Sequence, residues 1–192
     1  MALIKTSAQG LTADATNLVH IKTITLSSTT KPIQFLNSDA DVTFDTTYDT
    51  YKFIGNVKYE NDNRVTYIRV SNDGTNLDST SGNYKYDKIS VSAATVTGAN
   101  DGLSSVWQIE DNGSGNATGE NMAFEMTIFN SDFGYPRMIG SSHSIRTNNG
   151  SNLTIRSARY LQNARIQGIS FFPNSSNNYL TGSTISMYGV KS

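Results

Sequence analysis

The sequence predicts an all-β chain, a β-sandwich of jelly-roll type with an N-terminal extended arm, on three observations. Apolar residues recur at a period near two in many short windows, the pattern of half-buried strands and not of amphipathic helices. Hydrophobic residues make up 36% and charged residues 16% of the chain; the remainder is rich in Ser, Thr, Asn and Gly, which favours turns and strands. Clusters such as Asn72-Asp73-Gly74, Asp111-Asn112-Gly113-Ser114-Gly115, Asn148-Asn149-Gly150-Ser151 and Pro173–Asn178 break the alternation at strand-length intervals, and each is a turn signal.

The first 46 residues are Thr/Ser-rich with few aromatics and read as an arm or an outlying pair of strands. A short turn is expected near Asp14–Asn17. Val19 to Leu26 alternates, with Val19 and Ile21 on one face before the phase shifts at Ile24. Leu3, Ile4, Leu18, Ile21, Ile24 and Phe35 are too much apolar material for a free tail in water, so residues 1–46 are expected to be the attachment segment, buried on a neighbouring subunit or a scaffold. Residues 47–192 are the expected sandwich. Within them Tyr51, Phe53, Gly55, Val57 and Tyr59 share one side, Val65 to Val70 alternates again, and Glu60-Asn61-Asp62-Asn63 between them reads as the turn of a hairpin. Further strands are expected at Tyr84–Val91, Ser105–Ile109, Met122–Phe129, Arg137–Ile145, Leu153–Tyr160, Arg165–Phe172 and Ser183–Val190. About ten strands at this spacing suit a jelly roll.

A length of 192 residues suits one domain with a sizeable core. Fifteen basic and 16 acidic residues leave a net charge of −1, with no electrostatic footprint for nucleic acid. The absence of cysteine removes disulfides, thiolate metal sites and thiol nucleophiles. The start, Met1-Ala2-Leu3-Ile4-Lys5, lacks the apolar core of a secretory signal, and no run approaches the roughly 18 apolar residues of a membrane span. No membrane insertion is expected. Glycosylation sequons begin at Asn112, Asn116, Asn149, Asn152 and Asn174, as chance allows in an Asn/Ser/Thr-rich chain.

Catalytic patterns are weak. The two histidines, His20 and His143, sit in separate expected strands with no second histidine at metal-ligand spacing. His143 is flanked by Ser142 and Ser144, but neighbours in one strand point to opposite faces and cannot form a relay. Asp39, Asp41, Asp45 and Asp49, and Asp111 with Glu120, sit beside Asn, Gly and Thr, as turns require. The Asp111–Asn116 loop has oxygen ligands but not the spacing of a calcium loop. Asn72-Asp73-Gly74 and Gly113-Ser114-Gly115 lack the following helix and Lys of a nucleotide cradle. No cofactor or metal is expected. Ten Tyr, eight Phe and one Trp suit the core and subunit seams; a second reading makes Tyr84, Tyr86 and Tyr179 an exposed sugar-stacking platform.

From about Thr46 onward several stretches share a pattern. Tyr48-Asp49-Thr50-Tyr51-Lys52-Phe53-Ile54-Gly55 looks like an opening strand, Arg69-Val70-Ser71-Asn72-Asp73-Gly74 matches "R-x-S-x-D-G", and Ser81-Gly82-Asn83-Tyr84-Lys85-Tyr86 an aromatic strand. Ile166–Phe172 then leads to Asn178-Tyr179-Leu180-Thr181-Gly182-Ser183-Thr184-Ile185-Ser186-Met187-Tyr188-Gly189-Val190-Lys191, similar to a "G-x-I-x-L-Y-G-I/V-K" terminus. The chain therefore resembles a loose family of phage tail-fibre and other virion proteins. The resemblance implies a non-enzymatic virion structural protein, made in the host cytoplasm, that partners itself as a homotrimer and partners other virion proteins of capsid or tail. Its motifs are strand and turn signatures and carry no catalytic residues. No long stalk-forming repeat is present, which favours a capsid decoration or cement protein over a short tail-fibre or baseplate module binding a host surface glycan. A glycan-depolymerising sandwich would need a carboxylate pair that the sequence does not point to.

Overall fold

The computed structural model describes residues 17–130, 134–146 and 150–191, and in it the alternation is realised as strands alone. There are twelve: β1 Leu18–Thr25, β2 Ile33–Leu36, β3 Thr50–Val57, β4 Thr66–Ser71, β5 Tyr84–Ser92, β6 Thr95–Ser104, β7 Trp107–Gln108, β8 Met122–Phe129, β9 Arg137–Arg146, β10 Gly150–Tyr160, β11 Gly168–Pro173 and β12 Thr184–Val190. No helix among the described residues is long and apolar enough to cross a membrane.

The strands form two antiparallel sheets, one of eight strands in the order β1-β12-β3-β8-β9-β10-β5-β6 and one of four in the order β2-β11-β4-β7. Four pairings define the winding: β1 with β12, β2 with β11, β3 with β8, and β4 with β7. Leaving out β5, β6, β9 and β10, these join first strand to last, second to seventh, third to sixth and fourth to fifth, which is a jelly roll. The four remaining strands enter the chain as two insertions, β5–β6 between β4 and β7 and β9–β10 between β8 and β11. Both extend the larger sheet beyond β8.

Alternation decides which side chains enter the core. In β8, Met122, Phe124, Met126 and Ile128 are buried while Ala123, Glu125 and Phe129 are exposed. Phe35 and Phe171 from the small sheet meet Phe53 and Phe124 from the large one, with ring centroids 5.6 Å apart for Phe35–Phe53, 5.5 Å for Phe53–Phe171 and 5.6 Å for Phe124–Phe171. Each such ring contributes on the order of 2–3 kcal/mol through burial. Two glycines make room: a Cβ at Gly55 would stand 2.2 Å from the Phe124 ring, and one at Gly189 2.5 Å from Tyr48. Gly189 of the terminal motif is therefore a packing requirement.

The small sheet covers only part of the large one. Over the inserted strands the second layer is the segment from Val106 to Ser114, pinned from below. Trp107 Nε1 donates to the Arg159 carbonyl at 3.2 Å, Ser142 Oγ to the Ile109 carbonyl at 3.0 Å, and the buried Arg156 guanidinium to the Glu110 carbonyl at 3.0 Å.

Several expectations need correction. The sandwich does not begin near residue 47: β1 and β2 are the first two strands of the roll, and Leu26, Ile33, Phe35, Val42 and Phe44 are core residues. Leu3, Ile4 and Asp14–Thr16 lie outside the described residues. The expected hairpin across Glu60–Asn63 is instead a corner between sheets, since β3 pairs with β12 and β8 while β4 pairs with β11 and β7. Local alternation is the same for a hairpin and for a corner. β6 was not expected, because Thr95–Ser104 carries few apolar residues and lies exposed at a sheet edge.

Candidate functional site

Three kinds of place can carry function: the buried carboxyl cluster, the loop carboxylates and the outer face of the large sheet. Glu110, just after β7, is fully buried. Its Oε1 accepts from the Tyr59 hydroxyl and from the Thr66 backbone N–H at 3.2 Å, and its Oε2 accepts from Ser114 Oγ at 3.0 Å. Thr66 Oγ1 bonds both the Tyr59 hydroxyl at 2.7 Å and the Tyr179 hydroxyl at 2.9 Å. One direction of donation satisfies all four groups: Tyr179 to Thr66, Thr66 to Tyr59, Tyr59 to Glu110. Burial pushes the Glu110 carboxyl up to about 7, against the opposing pull of its hydrogen-bond donors. Burial also pushes Tyr59 well up, with Glu110 adding to it. The cluster holds protons firmly but meets no solvent, so it ties two sheets together and reaches no substrate.

The loop carboxylates are committed locally. Asp39 accepts from the Leu36 N–H at 3.2 Å, Asp45 from the Thr47 N–H at 2.7 Å, and Asp49 pairs with Arg165 at 2.9 Å. Burial raises the Asp111 carboxyl, but Lys88 and Ser90 outweigh it and hold it below its ordinary value. Lys88 Nζ stands 2.5 Å from Asp111 Oδ1, Ser90 Oγ 2.9 Å from Oδ2, and Arg156 3.7 Å away. Glu120 caps its own turn by accepting from the Ala117 N–H at 2.8 Å. No three His, Cys, Asp or Glu among the described residues stand together as a metal site. Ser71, Asp73 and Gly74 of "R-x-S-x-D-G" form a turn, with Asp73 accepting from Asn76, Thr75 and Ser71, which holds its carboxyl far below the usual range.

The histidines lie on the outer face. His20 Nε2 is 2.8 Å from Thr23 Oγ1 and its ring meets Tyr188 edge-on at 5.4 Å. His143 points outward while Ser142 and Ser144 are buried on the other side of β9. The sugar-stacking platform is a correction: Tyr84 and Tyr179 are fully buried and Tyr86 is 7% exposed. Their rings pack inside, with the Tyr84 hydroxyl accepting from the Val70 N–H and donating to the Asp78 carbonyl, and the Arg156 guanidinium 4.8 Å over the Tyr86 ring. Alternation gives a residue's face, but not which face of a sheet is covered. Of the expected attachment residues, Leu18 is exposed, Ile21 and Ile24 pack against the core, and Phe35 is inside it.

Strand register sets the outer face of the extended sheet in rows. One row runs Asn56–Ala123–His143–Leu153–Val91–Val96, and the next Ile54–Glu125–Ser141–Ile155–Ile89–Gly98. Leu153, Ile155, Ile89 and Val96 are 43%, 48%, 55% and 67% exposed, a contiguous aliphatic patch on the inserted strands. A further row runs Phe129–Arg137–Arg159–Lys85. It lines an open pocket of about 770 Å³ together with Tyr135, Asp87, Asn100 and Ser157. Neither feature was read from the sequence, because each is assembled by register from strands far apart along the chain. No family model, curated protein or solved structure matches the chain.

Proposed function

We propose that the chain is a non-enzymatic structural protein of a bacteriophage virion, a capsid decoration or cement protein mounted on the particle as a homotrimer. The observation that carries this reading is the aliphatic outer face on β10, β5 and β6. The jelly roll closes without these strands, and an antiparallel sheet face open to water ordinarily carries polar residues. Here Ile89, Leu153, Ile155 and Val96 stand outward instead, and apolar patches of that kind mark protein contacts. The commitment of the loop carboxylates to turns and ion pairs supports the non-enzymatic part of the reading. Quantitative mass spectrometry of purified particles tests it. Copies on the order of hundreds per particle are expected, as shell symmetry demands; absence from the particle sinks the virion reading. About a dozen copies moves the protein to the tail, since fibres and baseplates also follow low-order symmetry.

That second placement, a short tail-fibre or baseplate module binding a host surface glycan, is favoured by one observation. The row of outward cations beside the exposed rings of Phe129 and Tyr135 offers a ligand both charge and an apolar face.

A further inference from the structure

We propose that the pocket crossed by Arg137, Arg159 and Lys85 is a binding site for an acidic saccharide, one bearing carboxylate or sulfate groups on its rings. The three residues lie directly opposite one another on β9, β10 and β5, so strand spacing sets their backbones about 5 Å apart and the row about 10 Å long. Like charges directly opposite one another weaken a sheet. On the same face Lys52, by contrast, is paired, its Nζ 3.0 Å from Glu125 Oε2. Among the described residues the side chains of Arg137, Arg159 and Lys85 form no ion pair. Asp87 shares the pocket but is engaged by the Asn100 amide at 2.6 Å. Three cations and one carboxylate therefore line an open pocket with a net positive charge, the arrangement that an anionic ligand completes.

The surroundings select among anions. Phe129 stands directly opposite Arg137 at the end of the row and is 47% exposed, and Tyr135 beside it is 49% exposed. Exposed rings of this kind offer a flat apolar surface on which the C–H face of a pyranose can lie, while Ser157 and Asn100 can meet its hydroxyls. A nucleic acid is disfavoured, because its affinity is dominated by the number of phosphates that Lys and Arg neutralise, whereas this row supplies three cations and the chain carries a net charge of −1. The inference goes beyond assembly on the virion: the aliphatic patch and the cationic row use different side chains, so particle incorporation and ligand binding fail separately.

Titration calorimetry of the full chain with an oligouronate, a sulfated glycosaminoglycan fragment, neutral dextran and a single-stranded oligonucleotide tests the site. Binding to the oligouronate or to the sulfated fragment is expected, at least tenfold tighter than to dextran or the oligonucleotide and weakening with added salt. Which of the two binds identifies the anionic group. Arg159→Ala should weaken that binding tenfold or more with an unchanged or raised melting temperature, and Lys22→Ala on the opposite edge strand should leave it unchanged. Failure to bind either acidic glycan, equal binding to the oligonucleotide, or a loss below threefold in both Arg159→Ala and Arg137→Ala overturns the proposal.

Discussion

The Tyr59 hydroxyl donates to the carboxyl of Glu110 in the layer between the two sheets, where neither residue meets solvent. Thr66 and Ser114 donate to the same carboxyl, so the group is well supplied with donors while burial holds its pKa near 7. A raised carboxyl pKa makes stability fall as pH rises. The contribution is fully present below the unfolded value of 4.5 and is lost by about 7. At about 1.4 kcal/mol per pH unit, the loss across that window is on the order of 3 kcal/mol. Glu110→Gln removes the titration, so its unfolding free energy should be nearly flat over the same range. Urea denaturation at half-unit pH steps checks this; parallel slopes for the wild type and the variant would rule out Glu110 as the source.

A chain truncated to begin at Thr47 should not fold. It loses β1 and β2, and with them Leu26, Ile33, Phe35, Val42 and Phe44 from the core. Deleting one buried Phe or Ile side chain costs about 2–5 kcal/mol, and five together exceed the whole stability of about 5–15 kcal/mol. A chain beginning at Asn17 keeps every strand of the described residues and should melt cooperatively. Circular dichroism melts of the two truncations decide the matter, and a cooperative melt from the shorter one would return residues 17–46 to the role of a separable arm.

The strands were legible where burial is one-sided. Met122–Phe129 alternates without interruption, and the expected strand coincides with β8. Partners were not legible, since β3 and β4 alternate as a hairpin would yet belong to different sheets. The jelly roll could be expected as a class, while its two insertions could not. They are recognised only once β5 is known to pair with β10 and β9 with β8. The same dependence hid the candidate site, for Lys85, Arg137 and Arg159 look like ordinary surface charges until register aligns them. The tyrosines misled for a related reason: Tyr84 and Tyr86 alternate correctly, and a strand is expected at Ser105–Ile109, but alternation does not say that the segment Val106–Ser114 covers the tyrosines' face.

Gly55→Ala should destabilise through the Phe124 ring, which occupies the space a Cβ would take. Overpacking of this kind costs about 1–3 kcal/mol. Combined with Phe124→Leu, which withdraws the ring, the alanine should cost less than it does alone. A double-mutant cycle by urea denaturation measures that coupling. Strict additivity would mean that backbone freedom at Gly55, and not the ring, sets the requirement.

The aliphatic patch leads to a prediction about assembly. Ile155 and Ile89 face each other across β10 and β5 with their side chains outward, and each keeps about half of its surface exposed in the single chain. Ile155→Asp removes no core contact and loses only strand propensity and the pair with Ile89, so the fold should hold at a cost of about 1–2 kcal/mol. In a trimer seam the same carboxylate would be desolvated against apolar neighbours without a partner, a cost of several kcal/mol. Light scattering should therefore give three times the 20.9 kDa chain mass for the wild type and the single-chain mass for Ile155→Asp, both with cooperative melts. Arg137→Ala, outside the patch, should remain trimeric. A wild-type monomer at micromolar concentration would refute the homotrimer, and a trimeric Ile155→Asp would move its seam off this face.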